Sequence, residues 1–184
     1  EIHDSANVDR QDDYRTDEEV PVAYRTSNDD YSGSGYDRGH LVSSASLDAN
    51  VQMNSETFLL TNISPQDPGM NRAGWLGLEN LERQWATERE EIFVYVGAVF
   101  SGGSKAIIGD GLNVPTHFYK VLFDPANAET TAYLFPNDPV ASSAISGLRT
   151  TIDTIELISG QNFLKHLVDG LEEAIEANSL NWEE

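Results

Sequence analysis

The chain has no cysteine, only three lysines and no long apolar run. Without cysteine it can form neither a disulfide framework nor a thiolate metal site, and the compartment stays open. No apolar stretch is long enough to span a bilayer, so we expect no membrane segment. No charged-then-apolar signal segment opens the chain either. Because Glu1 is not a natural start, we expect that an N-terminal leader has been removed or omitted from this chain.

Positive charge is scarce, since 31 acidic residues face 11 basic ones and the net charge is −20. Proteins that bind nucleic acid are usually basic, because phosphate contacts dominate their affinity. However, seven of the 11 basic residues are arginines between Arg10 and Arg89, so a local positive cleft on an acidic body is expected. Two interpretations of the acidity stay open: a salt-tolerant enzyme for salty surroundings, or charge that simply aids solubility.

Length and composition predict one globular domain. The chain has 184 residues, of which 39% are hydrophobic and 9% aromatic, which suits a folded domain with its own core. We predict a single domain over residues 1–184. Within it, segment 1–9 can be flexible, and 165–184 forms an acidic C-terminal helix and tail.

Apolar periodicity predicts a mixed fold. We expect strands at 20–25, 36–42, 58–62, 92–100, 116–123 and 130–135, with a hairpin-like excursion around 106–108. We expect helices at 71–90, 150–158 and 166–177, and an irregular segment or short helix at 47–54. Because strands and helices do not alternate regularly, the fold class is α+β, with a central antiparallel-rich sheet flanked by helices.

The densest chemistry lies in an Asp-Arg-Gly-His tetrad at 37–40 and in the stretch 62–79. Among their side chains are an imidazole, guanidiniums, carboxamides and carboxylates. Histidine can act as a general base near neutral pH. Arginine matches phosphate oxygens, and amide and carboxylate oxygens suit Mg²⁺. This set therefore suits hydrolysis of a phosphodiester with one hard divalent cation.

Asn71 and Glu79 lie on the helix predicted at 71–90, where Asn71 is placed to cap its start. On an α-helix the two residues are about 80° apart around the axis and roughly 12 Å apart along it. They cannot both bind one ion directly. Asn71 can bind the metal directly, while Glu79 can hold a water that the metal also holds. The alternatives are a plain helix cap at Asn71 and an exposed glutamate at Glu79.

The tetrad resembles the signature of the DNA/RNA non-specific endonucleases, the ββα-metal nucleases that include mitochondrial endonuclease G. The resemblance covers roughly residues 10–164 and extends to several blocks in family order. These blocks lie at 12–17, 28–36, 62–66, 75–79 and 115–121. Four or five blocks at compatible spacing are far more specific than the tetrad alone.

The resemblance implies a ββα-metal active-site motif. It implies that His40 is the general base that activates water. It also implies that Asn71 is the direct metal ligand, with Glu79 acting through water. The expected ion is Mg²⁺, with Mn²⁺ or Ca²⁺ as alternatives.

The resemblance also implies roles for two arginines and an asparagine. Arg10 lies near the place where family members carry an arginine that reaches the scissile phosphate. Arg38 is expected near the phosphate or as a buttress, with an ion pair to Asp37 as the alternative. Asn62 is expected to hold His40 or its loop by hydrogen bonds, and the alternative is a turn former.

The implied substrates are double- and single-stranded DNA and RNA, cut with little sequence preference to products that carry a 5′-phosphate. By analogy with secreted bacterial members we expect an extracellular protein, with a periplasmic location as the alternative, and either a monomer or a homodimer. Two other functions stay open. The acidic charge would also suit a catalytically silent DNA mimic or binding protein, and the site would also suit a phosphodiesterase for small substrates.

Overall fold

The computed structural model describes residues 8–165, Ile175 and Trp182. Strands and helices are mixed, and the strands pair antiparallel. The strands are β1 Asp37–His40, β2 Ile63–Gln66, β3 Phe93–Val99, β4 Ala106–Ile108, β5 Leu112–Val114, β6 His117–Asp124, β7 Glu129–Pro136 and β8 Arg149–Thr150. The helices are α1 Val51–Glu56, α2 Leu76–Arg89 and α3 Ile152–Ser159. The α+β prediction is confirmed.

The largest sheet has four antiparallel strands in the order β3-β6-β7-β8. Helix α2 and the turn before it cover one face, where Trp75, Leu78 and Trp85 pack with Phe118 and Phe135. Ile152 and Ile155 of α3 belong to a second cluster with Tyr119, Val121 and Phe123 of β6. The central strand β6 is therefore buried on both faces, which explains its nearly continuous apolar sequence.

A two-stranded antiparallel pair, β1 with β2, leads into α2. His40 pairs with Ile63 at the end of β1. After β2, Asp67 begins the helical segment, because its Oδ1 accepts hydrogen bonds from the backbone N–H groups of Gly69 (2.7 Å) and Met70 (3.2 Å). A π-helical turn at Met70–Trp75 then runs into α2. This succession of two strands and a helix is the ββα arrangement.

The prediction that Asn71 caps the helix is wrong, because Asp67 satisfies the first backbone donors. Asn71 lies inside the π-helical turn, and its side chain faces β1 rather than the helix end. Trp75, Leu78, Glu82 and Trp85 are buried on one side of the helical segment, and Glu82 pairs with the fully buried Lys120.

The strand predicted at 20–25 is wrong. Val22–Tyr24 is a short 3₁₀ turn whose Val22 and Tyr24 side chains are exposed. Arg25 holds the turn closed, since its Nε donates to the carbonyl of Val20 (2.7 Å) and its Nη2 to that of Glu18 (2.5 Å). These bonds to the preceding backbone favour a compact loop over a paired strand.

The strand predicted at 58–62 is also wrong, although Phe58 is fully buried as expected. Only a single bridge forms there, between Leu59 and Arg15, and Leu60–Asn62 turns as a 3₁₀ helix. The strand that pairs with β1 is Ile63–Gln66, immediately downstream. The run at 58–62 is apolar because Phe58 and Leu60 in it are buried, although no continuous strand among the described residues pairs with it.

Other predictions agree with the structure to within a few residues. Helix α3 ends at Gly160, which takes φ 70° as a helix-ending glycine often does. The helix predicted at 166–177 lies outside the described residues, as does most of the flexible segment predicted at 1–9. The single-domain boundary therefore stays a prediction.

Candidate active site

One open cavity of about 730 Å³ collects five of the six predicted site residues. It lies where β1 meets the helical segment after β2. The predicted residues that line it are Arg10, Arg38, His40, Asn71 and Glu79. Asn62 does not line the cavity. The ββα arrangement thus brings together residues from three separate stretches of the chain.

His40 is the last residue of β1, and its side chain is largely buried at 8% exposure. The ring packs edge-on against Phe58 (centroids 4.8 Å apart) and Tyr14 (5.7 Å). Its Nε2 is buried and has no hydrogen-bond partner among the described residues. Burial, helped by the positive charge of Arg10, lowers the pKa of His40 to about 4. Our expectation of a near-neutral pKa is wrong, and the imidazole is an uncharged acceptor at neutral pH.

The backbone of His40 is held by two side-chain donors. Its carbonyl accepts hydrogen bonds from Trp75 Nε1 (3.1 Å) and Gln66 Nε2 (3.2 Å). The Gln66 side chain lies so close to β1 that a Cβ on Gly39 would come within 2.1 Å of its Oε1. Gly39 therefore makes room for Gln66, which supports the strand that carries His40.

Asn71 is oriented by Asp37. Its Nδ2 donates to Asp37 Oδ2 (2.9 Å), and the same carboxylate accepts two bonds from Arg72 (2.8 and 2.6 Å). Partial burial alone would raise the pKa of Asp37, but the hydrogen bonds from Arg72 and Asn71 outweigh it and the pKa is lowered. Because the amide nitrogen is engaged, the amide oxygen of Asn71 is the group left to act as a ligand.

Glu79 is buried at 8% exposure rather than lying on an exposed helix face. Burial raises the pKa of Glu79 to about 7, even though Lys120 opposes the shift. Glu82 adds to it, while Arg83 and a hydrogen bond from Ser43 also oppose it. Because the Glu79 carboxyl is poorly solvated, a nearby cation would stabilise its charged form.

The donor set at this end of the cavity fits a hard divalent cation. Asn71 offers an amide oxygen and Glu79 a carboxylate, and both are ligands that Mg²⁺ accepts while keeping several waters. Within the described residues, no group of three His, Cys, Asp or Glu side chains is close enough to hold a metal ion. The site therefore suits an ion that keeps water ligands and not one that needs an all-protein cage.

Arg10 lies in the segment that precedes β1, and its side chain lines the cavity. Its guanidinium donates to Asp12 Oδ1 (2.7 Å), Ser44 Oγ (2.9 Å) and Tyr14 Oη (3.0 Å). It also lies 4.8 Å from the centre of the Phe58 ring. Three acceptors in different directions fix the plane of this guanidinium.

Arg38 lies on the ring face of Tyr14, with its Cζ 4.2 Å from the ring centroid. Its Nη1 donates to Asn28 Oδ1 at 2.9 Å. The alternative ion pair with Asp37 does not form, because Asp37 pairs with Arg72. Arg38 therefore projects into the cavity with no carboxylate partner among the described residues.

Asn62 stands behind the cavity and fixes the loop that follows His40. Its Oδ1 accepts from the N–H of Val42 (3.0 Å), and its Nδ2 donates to the carbonyls of Val42 (2.9 Å) and Thr57 (2.9 Å). Among the described residues, the Asn62 side chain makes no hydrogen bond to the His40 ring.

Tyr14, Asp37 and Arg72 also line the cavity, and sequence reasoning did not select them as site residues. Tyr14 lies in one of the family-like blocks, which was the available signal. Asp37 lies three positions before His40, and its carboxylate reaches the helical turn that carries Asn71. The available sequence signal for Arg72 was its position next to Asn71.

The charges around the cavity balance. Its lining holds three guanidiniums, from Arg10, Arg38 and Arg72, and three carboxylates, from Asp29, Asp37 and Glu79. We expected a local positive cleft, and that expectation is wrong for this lining. Attraction of a phosphate must come from individual oriented guanidiniums and from any cation bound there.

Comparisons with known proteins give the family of this chain. The model of the DNA/RNA non-specific endonuclease family matches residues 1–170. A protein named Nuclease from Nostoc sp. is 33% identical over 93% of this chain and 66% of its own length. Human mitochondrial endonuclease G is 33% identical over 86% of this chain and 58% of its own length. This chain thus spans roughly three fifths of the length of these relatives.

Solved structures include a similar chain in a crystal structure of the EndoG/EndoGI complex. It superposes with a TM-score of 0.80 at 30% identity, and the match covers 88% of this chain and 73% of that chain. The fold, the ββα arrangement around His40 and the match of the family model over most of the sequence lead to one conclusion. The chain belongs to the DNA/RNA non-specific endonuclease family.

Proposed function

We propose that this chain is a metal-dependent, sugar-non-specific endonuclease. It would hydrolyse phosphodiester bonds of double- and single-stranded DNA and RNA and leave 5′-phosphate products. The observation that carries the proposal is the buried His40 Nε2, which has no hydrogen-bond partner among the described residues and belongs to a ring that lines the cavity. A buried acceptor left without a partner is costly, so its presence calls for an explanation. A role as the general base supplies one.

The proposed reaction begins when His40 Nε2 takes a proton from a water in the cavity. Because the pKa of His40 is lowered to about 4, the ring is ready to accept that proton at any pH near neutrality. Arg38 and Arg10 would contact the oxygens of the phosphate under attack, and the fork of a guanidinium suits two such oxygens.

Asn71 would hold the divalent cation directly through its amide oxygen, and Glu79 would hold it through a water. The expected ion is Mg²⁺, with Mn²⁺ or Ca²⁺ as alternatives. When bound, the ion would neutralise charge that develops on the phosphate and stabilise the leaving oxygen. Asp37 supports this arrangement, since its bond engages the Asn71 amide nitrogen and leaves the amide oxygen as the group that can bind the ion.

Little sequence preference is part of the proposal. Guanidiniums, carboxylates and amides line the cavity, and these groups suit contacts to phosphate, which carry no sequence information. We propose an extracellular or periplasmic location and tolerance of high salt, which the net charge of −20 supports. Several of the matched relatives are named as mitochondrial proteins, among them proteins from human and from Schizosaccharomyces pombe. In the part of the chain that the structure describes, no helix is both long and apolar enough to cross a membrane.

The test compares wild type with His40→Ala on supercoiled plasmid and on RNA. Each is incubated with Mg²⁺ or with EDTA, at low and at roughly seawater salt. We expect wild type to degrade both polymers, and EDTA or His40→Ala to abolish degradation. His117→Ala is the matched control, because His117 begins β6 outside the cavity lining and should leave the activity intact.

The outcomes separate the open functions. Degradation that survives His40→Ala would contradict the role of His40 as base and leave the enzyme class standing. Hydrolysis of bis-nitrophenyl phosphate without plasmid cleavage would indicate a phosphodiesterase for small substrates. No degradation under any condition would favour the acidic binding protein, and the next experiment would then be a search for a basic partner.

A further inference from the structure

Tyr14 lies between the two arginines that the proposed reaction uses. Its hydroxyl accepts a hydrogen bond from Arg10 Nη2 at 3.0 Å. Its ring face lies under the Arg38 guanidinium, 4.2 Å from Cζ to the ring centroid. Its ring edge contacts His40 and Phe58, with centroids 5.7 and 5.0 Å apart. A single side chain thus contacts both guanidiniums and the imidazole.

The two contacts on Tyr14 are of different kinds. The hydroxyl is a neutral acceptor, and burial raises the pKa of Tyr14 against the opposing effect of Arg10 and Arg38. The ring offers the negative face of its π system, which attracts a guanidinium. One contact can therefore be removed without the other, since phenylalanine keeps the ring and loses the hydroxyl.

Arg38 depends on Tyr14 more than Arg10 does. Arg10 also donates to Asp12 and Ser44. Arg38 has one other recorded hydrogen bond, to Asn28 Oδ1, and Asn28 itself donates from Nδ2 to the Tyr14 carbonyl at 2.8 Å. Of the two supports of Arg38 among the described residues, one is the Tyr14 ring and the other, through Asn28, ends at the Tyr14 backbone carbonyl.

We propose that Tyr14 is a positioning residue that holds Arg10 through its hydroxyl and Arg38 through its ring face, so that both guanidiniums meet substrate phosphate in a fixed arrangement. The inference rests on the proposed function. In a cavity whose formal charges balance, two arginines attract phosphate through their orientation and not through an excess of charge. Loss of that orientation weakens the contact although no charge is removed.

The experiment uses two double-mutant cycles, because a cycle isolates the coupling between two side chains. The first combines Tyr14→Phe with Arg10→Ala, and the second combines Tyr14→Leu with Arg38→Ala. Each variant is measured in two ways. The kcat and KM are measured on a fluorogenic oligonucleotide with Mg²⁺. Binding of a labelled oligonucleotide is measured by anisotropy in EDTA over a series of salt concentrations.

We expect Tyr14→Phe to lower kcat/KM by about 3- to 10-fold, as for loss of a hydrogen bond to a charged group that keeps other partners. Tyr14→Leu should lower it by a further factor of about 3 to 10, because the ring face under Arg38 is also lost. The Phe effect should vanish in the Arg10→Ala background. The additional Leu effect should shrink in the Arg38→Ala background. The matched controls are Tyr24→Phe and Tyr24→Leu, which alter a tyrosine that is 78% exposed and should change neither constant.

A purely structural role for Tyr14 predicts a different result. The losses would then multiply in full with those of either arginine variant, and the midpoint of urea unfolding would fall in parallel with activity. That result, or wild-type constants for both Tyr14 variants, would overturn the inference.

The inference and the proposed function fail separately. Cleavage that needs Mg²⁺ and His40 but shows no coupling in either cycle would leave the function standing and overturn the role of Tyr14. Binding that shows the coupling, in a protein that never cleaves, would overturn the function and leave the role of Tyr14 standing. A wild type that neither binds nor cleaves the oligonucleotide overturns both.

Discussion

Replacing Glu79 with glutamine should make the protein more stable than wild type at alkaline pH, by an amount that depends on pH. Glutamine has the shape of the protonated acid and carries no charge. Glu79 is 8% exposed, and burial raises its pKa from 4.5 to about 7. A raised pKa in the folded state means that this carboxyl contributes stability fully below pH 4.5. It loses that contribution as the pH rises through 7.

The expected size follows from the shift in pKa. Proton linkage between an unfolded pKa of 4.5 and a folded pKa of about 7 is worth about 2.5 kcal/mol between pH 5 and pH 8. The free energy of unfolding of wild type, relative to Glu79→Gln, should therefore fall by about 2.5 kcal/mol over this interval. Lys120 and Arg83 already favour the charged form, and their effect is contained in the shift.

The pH profile of wild type alone would hide this effect. The pKa of His40 is lowered from 6.5 to about 4, so its contribution to stability is present above pH 6.5 and is lost as the pH falls through 4. Between these limits the contributions of His40 and Glu79 change in opposite directions and by similar amounts. Only the difference between wild type and a variant separates them.

The assay is urea unfolding at pH 5 and pH 8 in the presence of EDTA, so that no divalent cation stabilises the carboxylate. Glu88→Gln is the matched control, because Glu88 is an exposed glutamate on the same helix, and its difference from wild type should not change with pH. A Glu79→Gln difference that is equal at both pH values would refute the reasoning. It would show that Glu79 is charged over the whole range.

Three further predictions concern stability and ion binding. Gly39→Ala should lower the free energy of unfolding by about 1–3 kcal/mol, since its Cβ would lie 2.1 Å from the Oε1 of the buried Gln66. An unchanged urea midpoint would contradict this prediction. Lys120→Met should lower the free energy of unfolding by about 3–5 kcal/mol, because the Glu82 carboxylate is left buried and unpaired. Adding Glu82→Leu should restore most of the lost stability, and additive losses would show that the ion pair is not the cause. Asn71→Ala should weaken Mn²⁺ binding at least 10-fold by calorimetry, and wild-type affinity would remove Asn71 from the ligand set.

Local patterns in the sequence were enough for the elements that depend on near neighbours. Leu76–Arg89 lies within the helix predicted at 71–90 from apolar side chains at helical spacing, and the strand Glu129–Pro136 was predicted at 130–135. The resemblance to the family also indicated His40, Asn71 and Glu79, because residue types can be compared without knowledge of the fold. The structure brings these three side chains to one cavity.

Tertiary structure alone decided the properties that arise from residues distant in sequence. The pKa values of His40 and Glu79 follow from burial, which no local pattern reports. The Asn71 side chain bonds to a carboxylate on another element, and no local pattern reports that contact either.

The same holds for the buried groups around β1. The need for glycine at position 39 comes from Gln66 on the neighbouring strand, and the place of Tyr14 between two arginines comes from packing against Phe58. Sequence by itself determined which functional groups the chain carries and which short segments can form helix or strand. Distances and solvation determine what those groups do, and both depend on contacts between residues that only folding brings together.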